Sequence, residues 1–265
     1  MTTARTAASN SAAWLAVWTL CARELVRFFR QRHRVFGALG QPIIFWLLFS
    51  EGLRQSNLGY AHFFPGTIVM ILLFTAIFAT ISIIEDRREG FMQGVLVAPV
   101  PRWSMMLGKV LGGTLIAMLQ GLLFFALGCL TVPDVAPGAV GVIGAVAMMF
   151  VIALSLTALG FLLAWRMDST QGFHAIMMVV LLPMWLLSGA FFPAGGEGFL
   201  SWVVTINPLT YGVAGLRHYL EYAQVGRVSD GPSLALCWGV SLAFAAVTLW
   251  AAWRIAATRS TGDLL

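Results

Sequence analysis

Apolar residues run along this chain in blocks too long for a soluble core and too uniform for a half-buried strand. Six such runs occupy 35–53, 63–84, 110–132, 139–165, 173–193 and 233–256. Each is close to the ~20 residues a helix needs to cross the roughly 30 Å hydrocarbon layer with its backbone bonded internally. A transmembrane barrel would alternate apolar and polar positions over segments of about ten residues, whereas these runs are apolar on every face. The pattern predicts an all-α integral membrane protein with six transmembrane helices.

Two further segments are apolar in part. Between 14 and 34, Trp14, Trp18, Cys21, Leu25, Phe28 and Phe29 recur at helical spacing. Arg23, Arg27, Arg30 and Arg34 step along the other side. Such an N-terminal amphipathic helix is expected to lie in the headgroup plane, facing membrane lipids, because a solvated linker would leave its aromatics in water. After the fifth run, residues 194–232 hold two stretches too short to span, 197–206 and 208–222, on either side of Asn207-Pro208. Pro208 suits the first turn of a helix, so two short helices are expected to meet at a corner. With Trp202, Tyr211, Tyr219 and Tyr222 they would form a re-entrant outer pair before the last span, or an ordinary outer loop.

Charge adds direction. Mean hydropathy is +0.86, and the net charge of +5 is no nucleic-acid signal, because its distribution follows the membrane. Thirteen Lys and Arg fall on one side of the spans, against Arg54, Arg217 and Arg227 on the other. Basic residues stay on the cytoplasmic side, so the chain reads as multi-pass with both termini cytoplasmic. The weak apolar stretch Trp14 to Cys21 is interrupted by Arg23-Glu24 and lacks a small-residue cleavage site, which argues against a signal peptide. Cys21, Cys129 and Cys237 are too far apart for a metal motif or a disulfide framework.

The densest charge, Glu85-Asp86-Arg87-Arg88-Glu89, directly follows the second run. Residues 85–106 are long enough for a short helix on the membrane surface, ended by Pro99 and Pro101 before Arg102 and Lys109 return to the headgroups. Glu85, Arg88 and Glu89 would share one side, with Phe91, Val95 and Leu96 as apolar contacts. The element suits docking of another protein, or equally a solvated topology signal. Within the spans, Gln41, Gln120 and His174 are polar, and Pro42 and Pro183 can kink spans one and five. Met177, Met178, Met184, Phe45, Trp46 and Trp185 offer an adaptable apolar lining, and Arg217 with Glu221 at i,i+4 offers a brace for an outer gate. Interhelical bonding and lipid packing are the alternatives at each. Gly108-x-x-x-Gly112 permits close helix approach.

"GFMQGVLVAPVPRWSMMLGK" (90–109), with the charge cluster ahead of it, and "INPLTYGVAGLR" (206–217) resemble the two recurring stretches of the ABC-2 type transporter permeases. The similarity of plan extends over essentially the whole chain, as a single domain; Gly94 departs from it, since many relatives carry an acidic residue there. The resemblance implies a bacterial inner-membrane exporter subunit, working as a homodimer with a separate ATP-binding cassette ATPase. Glu85, Asp86, Arg87, Arg88, Glu89, Gly90, Phe91, Pro99 and Arg102 would then belong to the coupling segment seated on that ATPase. An alternating-access cavity is expected at the dimer interface among spans one, two and five. Its candidate lining or gate residues are Gln41, Phe45, His174, Met178, Asn207, Pro208, Tyr211, Arg217 and Glu221. The nearly uncharged spans favour a hydrophobic or amphiphilic substrate, drug-like or lipid-like. A lipo-oligosaccharide or polysaccharide exporter is one alternative, and a non-transporting anchor for a soluble partner another.

The chain has no G-x-x-x-x-G-K-[ST] loop: Gly108-Lys109 lacks the first Gly at Trp103 and is followed by Val110. ATP and Mg2+ are therefore expected in the partner subunit, with no cofactor, metal or catalytic residue in this chain. An intramembrane enzyme would need acid, base or metal ligands at one depth, whereas Glu51 and His62 lie across the membrane from His174 and no H-E-x-x-H occurs.

Overall fold

The computed structural model describes residues 2–31, 36–37, 40, 43–44, 46–48, 51, 60–131, 137–190, 198–220 and 231–258. Among them every regular element is helical: α1 (Thr2–Arg30), α2 (Tyr60–Arg88), α3 (Phe91–Val97), α4 (Arg102–Thr131), α5 (Ala139–Trp165), α6 (Thr170–Ala190), α7 (Phe199–Ile206), α8 (Pro208–Tyr219) and α9 (Leu234–Ala257). Five of these, α2, α4, α5, α6 and α9, are long and apolar enough to cross a membrane. They correspond to the second to sixth expected spans. About half of the first, 35–53, falls outside the described residues, and Arg34, Gln41, Pro42, Phe45 and Glu221 lie outside them too. Of its described residues, Trp46 is buried edge-on against Phe124 of α4, centroids 5.2 Å apart.

The sequence of α2 is apolar on all sides, and the helix is buried on all sides. Its residues from Phe63 to Ile84 pack between α4 and α5 and expose almost nothing. This corrects the expectation that span two lines a cavity between two copies: its faces are already taken by its own chain. The peripheral helices are α6 and α9, which leave Met178, Val179 and Val180, and Val247, Trp250 and Trp253, exposed.

The N-terminal helix is placed by glycines. A Cβ at Gly108 would come 2.9 Å from the Leu20 Cβ, and one at Gly112 would come 2.8 Å from the Glu24 Cβ. The expected Gly108-x-x-x-Gly112 approach is thus used to seat α1. Contacts advance in step along the two helices: Trp14 on Trp103, Val17 and Leu20 at Gly108, Cys21 and Glu24 at Gly112, Phe28 on Ile116. Helix α1 therefore runs alongside α4 in the same direction, where a helix flat in the headgroups was expected. Its buried stripe is Ala13, Val17, Leu20, Cys21, Glu24 and Phe28, whereas Trp14, Trp18 and Phe29 are exposed. The glycine groove admits small and aliphatic side chains; an indole would hold the backbones apart.

Span five is broken, as Pro183 suggests. Regular helix at Thr170–Ile176 and Leu182–Trp185 alternates with π-helical turns at Met177–Leu181 and Leu186–Ala190. Leu187 leaves helical geometry, and Gly189 has φ 76°, a left-handed conformation that needs glycine. The corner at Asn207 also forms as expected. Pro208 starts α8, and the Asn207 side-chain oxygen accepts from the Leu209 N–H at 3.0 Å. Helix α8 packs antiparallel to α5, with Gly212 against Ile152, Gly215 against Met148, and Tyr219 against Gly144 and Gly141. This buries Leu209, Val213 and Leu216 in the main core.

Candidate functional site

Asp86 organises one end of the bundle. Its carboxylate has no exposed surface. It accepts two hydrogen bonds from Arg23, 2.9 Å at Oδ2 and 2.7 Å at Oδ1, and further bonds from Arg27 and Lys109. The Lys109 ammonium, 2% exposed, also donates to Glu24 at 2.7 Å. Arg27 donates a second N–H to Glu85 at 2.8 Å and lies 3.5 Å from Glu89. A single buried ion costs several kcal/mol of desolvation, so these groups are tolerable only together. The knot joins α1, α2 and α4, and its bond to Asp86 raises the pKa of Arg23 above the usual arginine value.

Helix α3 is tied to the same knot, with the Arg23 guanidinium 3.7 Å above the Phe91 ring. Arg87 turns the other way. It donates to the Trp165 carbonyl at 2.6 Å and lies 3.6 Å from Asp168, which joins α2 to the connection between α5 and α6. Arg102 donates to the Thr258 carbonyl at 3.2 Å, linking the start of α4 to the end of α9.

This geometry corrects the expected surface helix. Glu85 to Arg88 form the last turn of α2, which runs on past residue 84 because arginines of α1 neutralise its carboxylates. Gly90, at φ 77°, makes the turn into α3, a seven-residue helix that ends before Pro99-Val100-Pro101 as expected. Phe91, Val95 and Leu96 pack inward on the core. Lys109 is buried among carboxylates, since α4 starts at Arg102 and carries it into the knot. The face left open combines Arg88, Glu89, Gln93, Gly94, Val97 and Pro99. Arg30 is exposed, apart from the knot.

At the opposite end the bonds run to backbone. The Asn207 amide donates to the Met184 carbonyl at 2.5 Å, and Arg217 donates to the Gly189 carbonyl at 2.7 Å. The Trp185 indole donates to the Gly66 carbonyl of α2 at 2.8 Å, and Ser188 donates to the Trp185 carbonyl at 2.5 Å. Tyr211 and Thr210 close the corner by donating to Thr205 and Val204 of α7, at 2.9 Å and 2.7 Å. The structure thus brings Asn207, Pro208, Tyr211 and Arg217 together. His174 and Met178 lie elsewhere: the His174 ring is 2.7 Å from the Thr170 carbonyl of its own helix and beside Phe78, and Met178 is exposed. Gln120 accepts from Thr75 at 2.5 Å between α4 and α2.

Sequence reasoning missed Glu24 as half of a buried pair, and Trp185 and Ser188 as backbone partners. Glu24 had left a signal, since it falls on the stripe Cys21, Glu24, Phe28 at spacings of three and four. A charge on a buried stripe calls for an opposite charge nearby.

The molecule is an all-helical, multi-pass membrane protein with a short exposed helix at its charged end and a broken span clasped at the other. The chain belongs to the ABC-2 type transporter family, whose model matches residues 15–220. It is 27% identical over 265 residues to the inner membrane transport permease YadH of Escherichia coli, covering 91% of this chain and 94% of that one. It is 24% identical over 214 residues to the daunorubicin resistance ABC transporter permease protein DrrB1 of Streptomyces coeruleorubidus, covering 78% and 75%. The match to the probable multidrug ABC transporter permease YbhR of Escherichia coli, 26% identical over 187 residues, covers 69% of this chain but 48% of that protein.

Proposed function

We propose that this chain is the membrane-spanning subunit of an ATP-driven exporter of the bacterial inner membrane. It works as a homodimer, with ATP and Mg2+ bound by separate ATPase subunits. Both termini are cytoplasmic, in keeping with the distribution of Lys and Arg. The observation that carries the reading is the family match across the charged loop and the Asn207 corner together. A hydrophobic or amphiphilic substrate accords with spans almost free of charge and with relatives named for multidrug and daunorubicin resistance. Helices α7 and α8 form a re-entrant pair, and the exposed Met178 to Val180 stretch of span five faces the dimer interface and its cavity. The ATPase seats on the face formed by Arg88, Glu89, Gln93, Gly94, Val97 and Pro99.

Purification of the tagged chain in mild detergent from its own host tests this. A near-stoichiometric ATPase is expected to co-purify, and Glu89→Lys, at a carboxylate 61% exposed, is expected to weaken its retention at least tenfold without lowering the thermal stability of the isolated chain. An ATPase retained equally by both chains would remove Glu89 from the docking face. A chain that captures no ATPase even after crosslinking would sink the transporter reading.

A further inference from the structure

The two π-helical turns of α6 and the left-handed Gly189 interrupt the regular bonding of the helix. Inside a membrane such backbone is tolerated only where protein satisfies it. Here the satisfying groups come from α8: Asn207 on the Met184 carbonyl and Arg217 on the Gly189 carbonyl, at the two ends of the second π-helical turn. A continuous α-helix through Ala190 would give the Met184 carbonyl to the Ser188 N–H, leave the Asn207 amide, in a residue 7% exposed, without this bond, and take Gly189 out of the left-handed geometry in which its carbonyl meets Arg217. The broken form of α6 and the seated form of α8 therefore stabilise each other. The end of α6 is also held against α2, since a Cβ on Gly66 would come 2.5 Å from the Ala190 Cβ and 3.0 Å from its Cα. Packing at that contact leaves no space for a side chain between the two helices and resists a partial straightening of α6.

We propose that Asn207 and Arg217 are positioning residues that lock span five in its broken form, so that α8 and the outer half of α6 must move together when the protein opens. The part of this that concerns transport rests on the exporter reading above; the clasp itself does not.

Ser188 reports the state of the clasp. It is wholly buried, between the two clasped carbonyls. Ser188→Cys in the full-length chain, in lipid nanodiscs, would be labelled with a membrane-impermeant maleimide, with the chain's own cysteines as the blank. Slow labelling is expected. Adding Arg217→Met should raise the rate about tenfold or more, the loss expected for one charge-assisted bond to a buried carbonyl. Arg217→Lys, which keeps a donor, should restore slow labelling. Asn207→Ser keeps the cap on the Leu209 N–H but cannot reach the Met184 carbonyl, and should also speed labelling. The proposal is overturned if Ser188→Cys is labelled rapidly by itself, if Arg217→Met and Asn207→Ser leave the rate unchanged, or if Arg217→Lys is as fast as Arg217→Met. In the ATPase complex, Arg217→Met should retain the ATPase but lose most substrate transport. Should no ATPase co-purify, the exporter reading fails while the labelling rates still decide the clasp.

Discussion

The two ends of the bundle are fastened by opposite means. At the charged end three regular helices are joined by ion pairs between side chains, each helix having satisfied its own backbone. At the other end a broken helix is held by side chains bonded to its carbonyls. Losing a carboxylate from the knot leaves an excess of buried positive charge, whereas the Met184 carbonyl, once free of Asn207, can accept from the N–H of its own helix. The first kind of joint transmits force as a rigid body, and the second can exchange one set of bonds for another.

Substitutions can break that contrast, starting with the largest effect. Asp86→Ala leaves three cations, Lys109, Arg23 and Arg27, to two carboxylates, Glu24 and Glu85, around a buried gap and should cost about 3–5 kcal/mol, read as loss of the folded chain in a detergent thermal-unfolding assay. A mild effect would mean that water reaches the knot. At the other end, Gly66→Ala drives a methyl into Ala190 and should cost about 1–3 kcal/mol in the same assay, with faster labelling of Ser188→Cys. Stability lost with labelling unchanged would detach Gly66 from the clasp. Tyr219→Phe removes the acceptor of the Trp238 indole bond, 2.8 Å long, and should cost about 1 kcal/mol in chemical unfolding. Arg30→Gln, at an exposed residue outside the knot, should stay within about 0.5 kcal/mol; a larger loss would show the knot to extend further along α1.

How much of this was legible in the sequence follows from the range of each interaction. The long helices were written in uninterrupted apolar runs, a signal needing only neighbours along the chain. The Asn207-Pro208 corner and the Gly108-x-x-x-Gly112 groove were equally local. The stripe that α1 turns to α4 was not legible, because Trp14 and Trp18 outweigh Val17 and Leu20 in hydrophobicity while fitting the glycine groove worse. The charge cluster was read as a surface helix because its partners, Arg23, Arg27 and Lys109, are distant in sequence. Only pairing across that distance lets Glu85 and Asp86 continue a span. Pro183 announced a break in span five, but not the register in which Asn207 and Arg217 would meet the freed carbonyls.

The knot around Asp86 also has a history within each molecule's synthesis. Arg23, Arg27 and Lys109 balance Glu24, Glu85 and Asp86 once the chain is folded. As the chain emerges, however, the arginines of α1 precede the carboxylates of α2 by some sixty positions. They are therefore without Glu85 and Asp86 while the first hydrophobic segments choose their orientation, when positive charge acts most strongly on which side a flanking segment is retained. When α2 delivers Asp86, the same charges stop acting as an address and become a joint. Reversing Asp86 should thus spare the orientation of the chain and damage only its assembly, whereas removing Arg23 and Arg27 should compromise both.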